Sequence, residues 1–193
     1  MGYEVELKAH VKDVISLKSL LDRTEGIEGP ICELKDDIYY CLDQGEALFR
    51  LRKESFGPSF SNLKGKLVFT RKQKSLTDGI EVNRETEFTS DDNQFPSAHE
   101  FFLGLGYQIY IRKTKRGYSY TLAFDDVLPP LHIELVEVLG LGWFLEMEFI
   151  LEQEEKVPLA RTFLLDMLTR FGLDSQSIES RYYMHLLKSQ TTG

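Results

Sequence analysis

Glu4, Glu6 and Lys8 are spaced two apart near the start of the chain. In a β-strand successive side chains alternate faces, so these three share one face and Val5, Leu7 and Ala9 share the other. Two acids beside a base can simply be solvated, or they can hold a metal ion and a phosphate. The same spacing returns in other strand-like runs. Arg50 pairs with Arg52, and Glu85 with Glu87, with Glu81 and Asn83 in line. Lys113 pairs with Lys115, and Glu146 with Glu148. Opposite those last two acids stand Trp143, Leu145, Met147 and Phe149. Four large apolar side chains on one face require burial, so the acids occupy the other.

Two arrangements fit this pattern. In a sandwich or open sheet the charged faces meet solvent. In a barrel coated outside by helices they point inward and line a polar tunnel. A tunnel needs compensation, because isolated buried charge is very costly. The inner set would have it: Glu4, Glu6, Glu85, Glu87, Glu146 and Glu148 against Lys8, Arg50, Arg52, Lys72, Lys113 and Lys115. Clustered Lys and Arg hold phosphate oxygens through charge-assisted hydrogen bonds. Clustered carboxylates bind Mg²⁺ or Mn²⁺, which bridge to phosphate. Both kinds in one cavity imply a metal-bound polyphosphate.

The elements that must position these residues are mostly strands. Residues 3–10 alternate, and residues 13–22 have helical spacing behind Asp13, a suitable N-cap. Strands are expected at 32–41 and 47–53 around Asp43-Gln44-Gly45, then a loop over 54–63 containing Gly57-Pro58. Another pair, 64–73 and 80–89, flanks Thr77-Asp78-Gly79. A helix is expected over 91–103, capped at Asp91 or Asp92. Residues 107–116 and 118–125 read as a hairpin turning at Arg116-Gly117. Residues 131–138 and 143–151 are strands separated by Gly140-Leu141-Gly142. Two helices, 154–171 and 175–188, follow, with Gly172 ending the first. Eight or nine strands with a few helices give an α+β chain built on one closed or nearly closed antiparallel barrel.

The 193 residues suit one domain, with 42% hydrophobic and 28% charged residues. A formal net charge of −8 argues against nucleic acid or an anionic membrane as partner. No apolar run reaches about 18 residues, so no transmembrane helix is expected. The N-terminus reads as a charged strand rather than a signal peptide. Cys32 and Cys41 lack metal-ligand spacing and are expected to be reduced, in a cytoplasmic protein. His10 reads as a solvated side chain and His132 as non-catalytic. Tyr39 and Tyr40 read as packing residues, and Trp143 as core under a tail helix.

Taken in order, these segments resemble the CYTH family of class IV adenylyl cyclases and thiamine triphosphatases. The match covers nearly the whole chain, as one CYTH domain over 1–193. Glu4-Val5-Glu6-Leu7-Lys8 resembles the family's N-terminal E-x-E-x-K. Asp36-Asp37-Ile38-Tyr39-Tyr40 resembles its D-x-Y-F strand, and Leu48-Phe49-Arg50-Leu51-Arg52 its L-R-x-R strand. Phe69-Thr70-Arg71-Lys72 is similar to the strand carrying a substrate lysine. Glu85-Thr86-Glu87 resembles the central E-x-E, and Lys113-Thr114-Lys115 the K-x-R pair with Lys for Arg. Leu141-Gly142 through Glu146-Met147-Glu148 resembles the closing L-G-x-F-x-E-x-E, and Tyr183 to Leu187 the C-terminal Y-x-x-L-L. Where the family often has Asp before the L-G turn, this chain has Val136, and Glu134 on the same face is the replacement acid.

The resemblance implies the triphosphate tunnel, an eight-stranded antiparallel barrel with a charged interior and flanking helices. It implies phosphate binding by Lys8, Arg50, Arg52, Lys72, Lys113 and Lys115. It implies Mg²⁺ or Mn²⁺ held among Glu4, Glu6, Glu85, Glu87, Glu134, Glu146 and Glu148. Catalysis falls to Glu4, Glu6, Lys8, Lys72 and Glu146. The implied partner is ATP or another triphosphate, and related barrels often pair, so a homodimer is allowed. Length and the run Ile80 through Glu87 look closer to the cyclases. A triphosphatase and a non-catalytic polyphosphate binder stay open.

Overall fold

The computed structural model describes residues 3–43, 45–77, 80–123 and 127–191, and the side chains of residues 72–85 and 191 lie outside that description. Eight strands close into a barrel, all neighbours antiparallel. They are β1 (Tyr3–His10), β2 (Ile27–Cys41), β3 (Phe49–Ser59), β4 (Asn62–Thr77), β5 (Ile80–Asp91), β6 (Gln108–Leu122), β7 (Leu131–Val138) and β8 (Gly142–Leu151). Around the barrel the order is β1-β5-β4-β3-β2-β6-β7-β8, and β8 returns to β1. Among the described residues four α-helices flank it: α1 (Val14–Leu21), α2 (Phe95–Gly104), α3 (Val157–Arg170) and α4 (Tyr183–Thr191). None of the described helices is long and apolar enough to cross a membrane.

Strand parity decides which side is core. Val5, Leu7 and Ala9 of β1 and Leu145, Met147 and Phe149 of β8 are fully buried on the outer face. They pack beneath Ala160, Leu164, Met167 and Leu168 of α3, with Trp143 partly buried at the edge. The apolar core therefore lies outside the barrel wall, and the charged positions are left facing in. A smaller outer cluster joins Tyr40, Leu51 and Leu67 to Phe95 and Phe102 of α2. Asp13 caps α1 as expected, its Oδ1 accepting the Ser16 N–H at 3.0 Å.

Four expectations fail. The helix expected over 91–103 with a cap at Asp91 or Asp92 begins only at Phe95, because Asp91 still pairs with Lys66 in the sheet and Asp92–Gln94 form a 3-10 turn without a side-chain cap. The chain does not turn at Arg116-Gly117, because β6 runs unbroken from Gln108 to Leu122. Gly117 sits opposite Val136, where a Cβ would lie 2.2 Å from the Leu135 carbonyl oxygen. The glycine permits close strand approach rather than reversal. The expected loop over 54–63 is instead the end of β3 and the start of β4. Gly57 again stands where a Cβ would meet Asn62 backbone at 1.8 Å. Finally, α4 starts at Tyr183, eight residues later than the expected helix start at 175. Of the intervening segment, Ser175–Ser177 form a single 3-10 turn capped by Asp174, and the chain then extends: Ile178 bridges Ala9, and the Glu179 N–H donates to the Lys8 carbonyl at 2.8 Å. Of the expected turns, Gln44, Asp78 and Gly79 lie outside the described residues, as do Phe124 and Asp125 at the end of the strand expected over 118–125. Cys32 and Cys41 are free and buried, in keeping with reduced thiols.

Candidate functional site

The barrel encloses a cavity of about 700 Å³. Every sequence-predicted acid and base except Lys72 and Glu85 lines it. The side chains of those two lie outside the described residues; the register pairs Lys72 with Glu85, two positions beyond Thr70 and Glu87. Inside, the charges sort into three groups.

The first is a carboxylate trio. Glu4 and Glu6 from β1 and Glu148 from β8 each offer an oxygen, all within 4.8 Å of one another. Register explains the meeting, since Glu6 lies directly opposite Glu148. Burial pushes the Glu148 carboxyl well above its usual range, and the neighbouring charges of Glu4, Glu134 and Glu6 push it further. Three hard oxygen donors so close together fit a divalent cation, whose charge would relieve that repulsion.

The second group is built on Asp37 of β2, whose side chain is fully buried. The Arg52 guanidinium donates to both its oxygens, at 2.6 and 3.1 Å. Lys113 Nζ lies 2.9 Å away and Arg50 3.9 Å away. Burial alone would raise the Asp37 carboxyl, but Arg52, Lys113 and Arg50 outweigh it and hold it well below the usual range. Arg50 also donates to Thr70 Oγ1 at 3.0 Å, and Thr70 donates on to Glu87 at 2.6 Å. Asp37 thus gathers three cations from β3 and β6 at one level of the tunnel.

The third group alternates acid and base across the wall. Lys115 Nζ donates to Glu134 at 2.7 Å and to Glu146 at 2.6 Å. Lys35 donates to the other Glu134 oxygen and lies 3.0 Å from Glu33. Burial raises the Glu134 carboxyl, but Lys115 and Lys35 prevail and hold it well below its ordinary value. Tyr183, at the start of α4, donates its hydroxyl to the second Glu146 oxygen at 2.6 Å. Both oxygens of Glu134 and of Glu146 therefore already have cationic or phenolic donors. Of the six proposed metal acids whose side chains are described, the structure brings three together as a trio and sets Glu134 and Glu146 beside lysines instead.

Sequence reading missed Glu33, Lys35 and Asp37 as site residues, and it placed Tyr39 in packing although Tyr39 lines the cavity. These four occupy alternate positions of β2, the parity signal used on the other strands. Tyr40, one residue on, is fully buried outside the barrel as expected. The His10 side chain is 45% exposed and its Nε2 lies 3.2 Å from Glu179 Oε2.

An antiparallel eight-stranded barrel with a mixed-charge lumen and an outer apolar core defines the tunnel architecture. The chain belongs to the CYTH domain family, matched over residues 2–183. A relative, adenylate cyclase CyaB of Aeromonas hydrophila, is 31% identical over 88 residues. That match spans 46% of this chain and 43% of the relative, so it reaches less than half of that protein's length. The PH1819 protein of Pyrococcus horikoshii OT3 has a similar structure, with TM-score 0.70 and 23% identity over 97% of this chain and 99% of that one. HpAC1 of Hippeastrum, described as having a dominant triphosphatase activity, matches with TM-score 0.65 and 15% identity over 98% of this chain and 96% of its own. At such identities the two structural likenesses concern the fold.

Proposed function

We propose that this chain is a metal-dependent enzyme acting on a triphosphate, and specifically a class IV adenylyl cyclase converting ATP to cyclic AMP and pyrophosphate. The observation that carries the reading is the Glu4–Glu6–Glu148 trio sharing one cavity with the Lys8, Arg50, Arg52 and Lys113 cluster. Acids alone would suit a cation and bases alone an anion; together they suit a metal-complexed phosphate chain. In this reading Lys8, Arg50, Arg52, Lys72, Lys113 and Lys115 bind phosphate oxygens. Glu4, Glu6 and Glu148 hold Mg²⁺ or Mn²⁺, with Glu85, Glu87, Glu134 and Glu146 as further candidates. A bound divalent ion supplies charge neutralisation along the phosphate chain and lowers the pKa of a nearby hydroxyl.

The chain's own residues orient the reacting groups and neutralise developing charge, as phosphoryl transfer requires. In the cyclase reaction the ribose 3′-oxygen bonds to the α-phosphorus, the bond from that phosphorus to the bridging oxygen breaks, and pyrophosphate leaves. The hydroxyl proton passes to solvent or a tunnel carboxylate. The CyaB relative favours this reading. A hydrolase is the second reading, favoured by the activity described for the Hippeastrum protein. There water attacks the terminal phosphorus and orthophosphate leaves. Incubation with ATP and Mn²⁺ followed by product separation tests the choice. Cyclic AMP with pyrophosphate supports the cyclase, whereas ADP with orthophosphate and no cyclic AMP replaces it with the hydrolase. A polyphosphate binder without turnover is eliminated if metal-dependent turnover disappears in Glu4→Gln and Glu146→Gln.

A further inference from the structure

The first residue of α4 reaches into the tunnel. The Tyr183 hydroxyl donates to Glu146 Oε1 at 2.6 Å while Lys115 donates to Oε2, also at 2.6 Å. Each oxygen of that carboxylate has its own donor, which fixes its plane. Burial and the Glu146 charge hold the phenol well above its ordinary value, so it remains a donor. The ring of the same residue lies 5.1 Å from Lys8 Nζ and 5.1 Å from Lys113 Nζ, measured to its centroid. Those distances fall within cation–π range. Phe144 braces the ring edge-on at 4.9 Å. The segment leading to α4 is tied to the same strand as Lys8, through the Ala9–Ile178 bridge and the Glu179 N–H to Lys8 carbonyl bond. One aromatic side chain from the C-terminal segment thus touches three functional candidates on β1, β6 and β8.

We propose that Tyr183 is a positioning residue of the tunnel, its hydroxyl fixing Glu146 and its ring setting where the Lys8 and Lys113 ammonium groups stand. The inference rests on the triphosphate reading above. It differs from a role as an inert stopper, for which phenylalanine would serve equally well. The hydroxyl acts through a carboxylate, so its loss appears in kcat. The ring acts through the two phosphate-facing lysines, so its loss appears in binding.

The test uses the full chain and its Tyr183→Phe and Tyr183→Leu variants. Turnover of ATP with Mn²⁺ and calorimetric binding of inorganic tripolyphosphate are measured on each. Tyr183→Phe should lower kcat by about tenfold or more, the usual scale for losing a hydrogen bond to a charged group, while the tripolyphosphate Kd stays within about threefold. Tyr183→Leu should also weaken tripolyphosphate binding severalfold, as removal of partly buried cation–π contacts does. A Tyr183→Phe variant with kcat within twofold of the parent, and only a lower melting midpoint, overturns the proposal. If Tyr183→Leu fails to fold, the kcat-against-Kd split in Tyr183→Phe decides. If the parent binds tripolyphosphate but turns over no triphosphate, the enzymatic reading fails. The Kd of Tyr183→Leu against Tyr183→Phe then decides the positioning claim, and equal values overturn it.

Discussion

Glu33→Gln should stabilise this protein at pH 8 and change it little at pH 5. Glu33 is fully buried in β2, and neither carboxylate oxygen makes a well-aligned hydrogen bond. Its neighbour Lys35 lies 3.0 Å away but also donates to Glu134. Burial first, and the Glu134 charge second, push the Glu33 carboxyl up to about 7 from 4.5. An acid whose pKa rises on folding binds its proton more tightly in the native state. Its penalty is therefore absent below the unfolded value, grows as pH rises, and saturates above the folded value. At about 1.36 kcal/mol per pKa unit, the penalty should grow by about 2–3 kcal/mol between pH 5 and pH 8. Glutamine keeps the shape and carries no charge at either pH, so the variant escapes that slope. Urea unfolding of parent and variant at both pH values measures it, since the other titrating groups largely cancel in the difference. A stability difference that is the same at pH 5 and pH 8, or a variant less stable at pH 8, refutes the reasoning.

Asp37→Asn should destabilise the fold by about 3–5 kcal/mol, the cost of leaving buried cations without their counter-charge, read from urea midpoints at neutral pH. An unchanged midpoint would mean that Arg50, Arg52 and Lys113 do not depend on Asp37. Glu4→Gln and Glu148→Gln should each weaken Mn²⁺ binding by about tenfold or more, at least what outer-shell substitutions cost a metal site. Calorimetry with Mn²⁺ alone measures this without reference to turnover, and affinities equal to the parent's would remove the trio as the metal centre. Gly117→Ala should cost about 1–3 kcal/mol through overpacking against the Leu135 and Val136 backbone, and a neutral thermal midpoint would show that β6 and β7 can separate freely.

The barrel was legible in sequence because its wall obeys one rule. β1 and β8 alternate large apolar residues with charge, and that period alone separates the α3-facing side from the lumen. The E-x-E of β8 and the E-x-E-x-K of β1 then meet because register sets Glu6 against Glu148. The rule was less visible in β2. There Glu33, Lys35 and Asp37 share a face, but the double acid Asp36-Asp37 and double tyrosine Tyr39-Tyr40 blur the alternation. Gly57 and Gly117 misled for another reason. A glycine in a strand serves either to turn the chain or to admit a neighbour, and the neighbours here, Asn62 and Leu135, are set by pairing rather than by adjacent residues. The late start of α4 was hidden likewise, since the extended segment before it is fixed by its bonds to β1. Which lysines meet which acids follows from side-chain reach across the lumen, as with Lys115 between Glu134 and Glu146, and no single strand encodes it.

The central claim is that one tunnel combines a carboxylate metal trio with a basic cradle for a triphosphate. Product separation after incubation of the full chain with ATP and Mn²⁺ tests it most directly. Cyclic AMP and pyrophosphate in equal amounts, abolished by chelation of the metal, is the expected result. No product from ATP or from inorganic tripolyphosphate, with or without Mn²⁺, would contradict it.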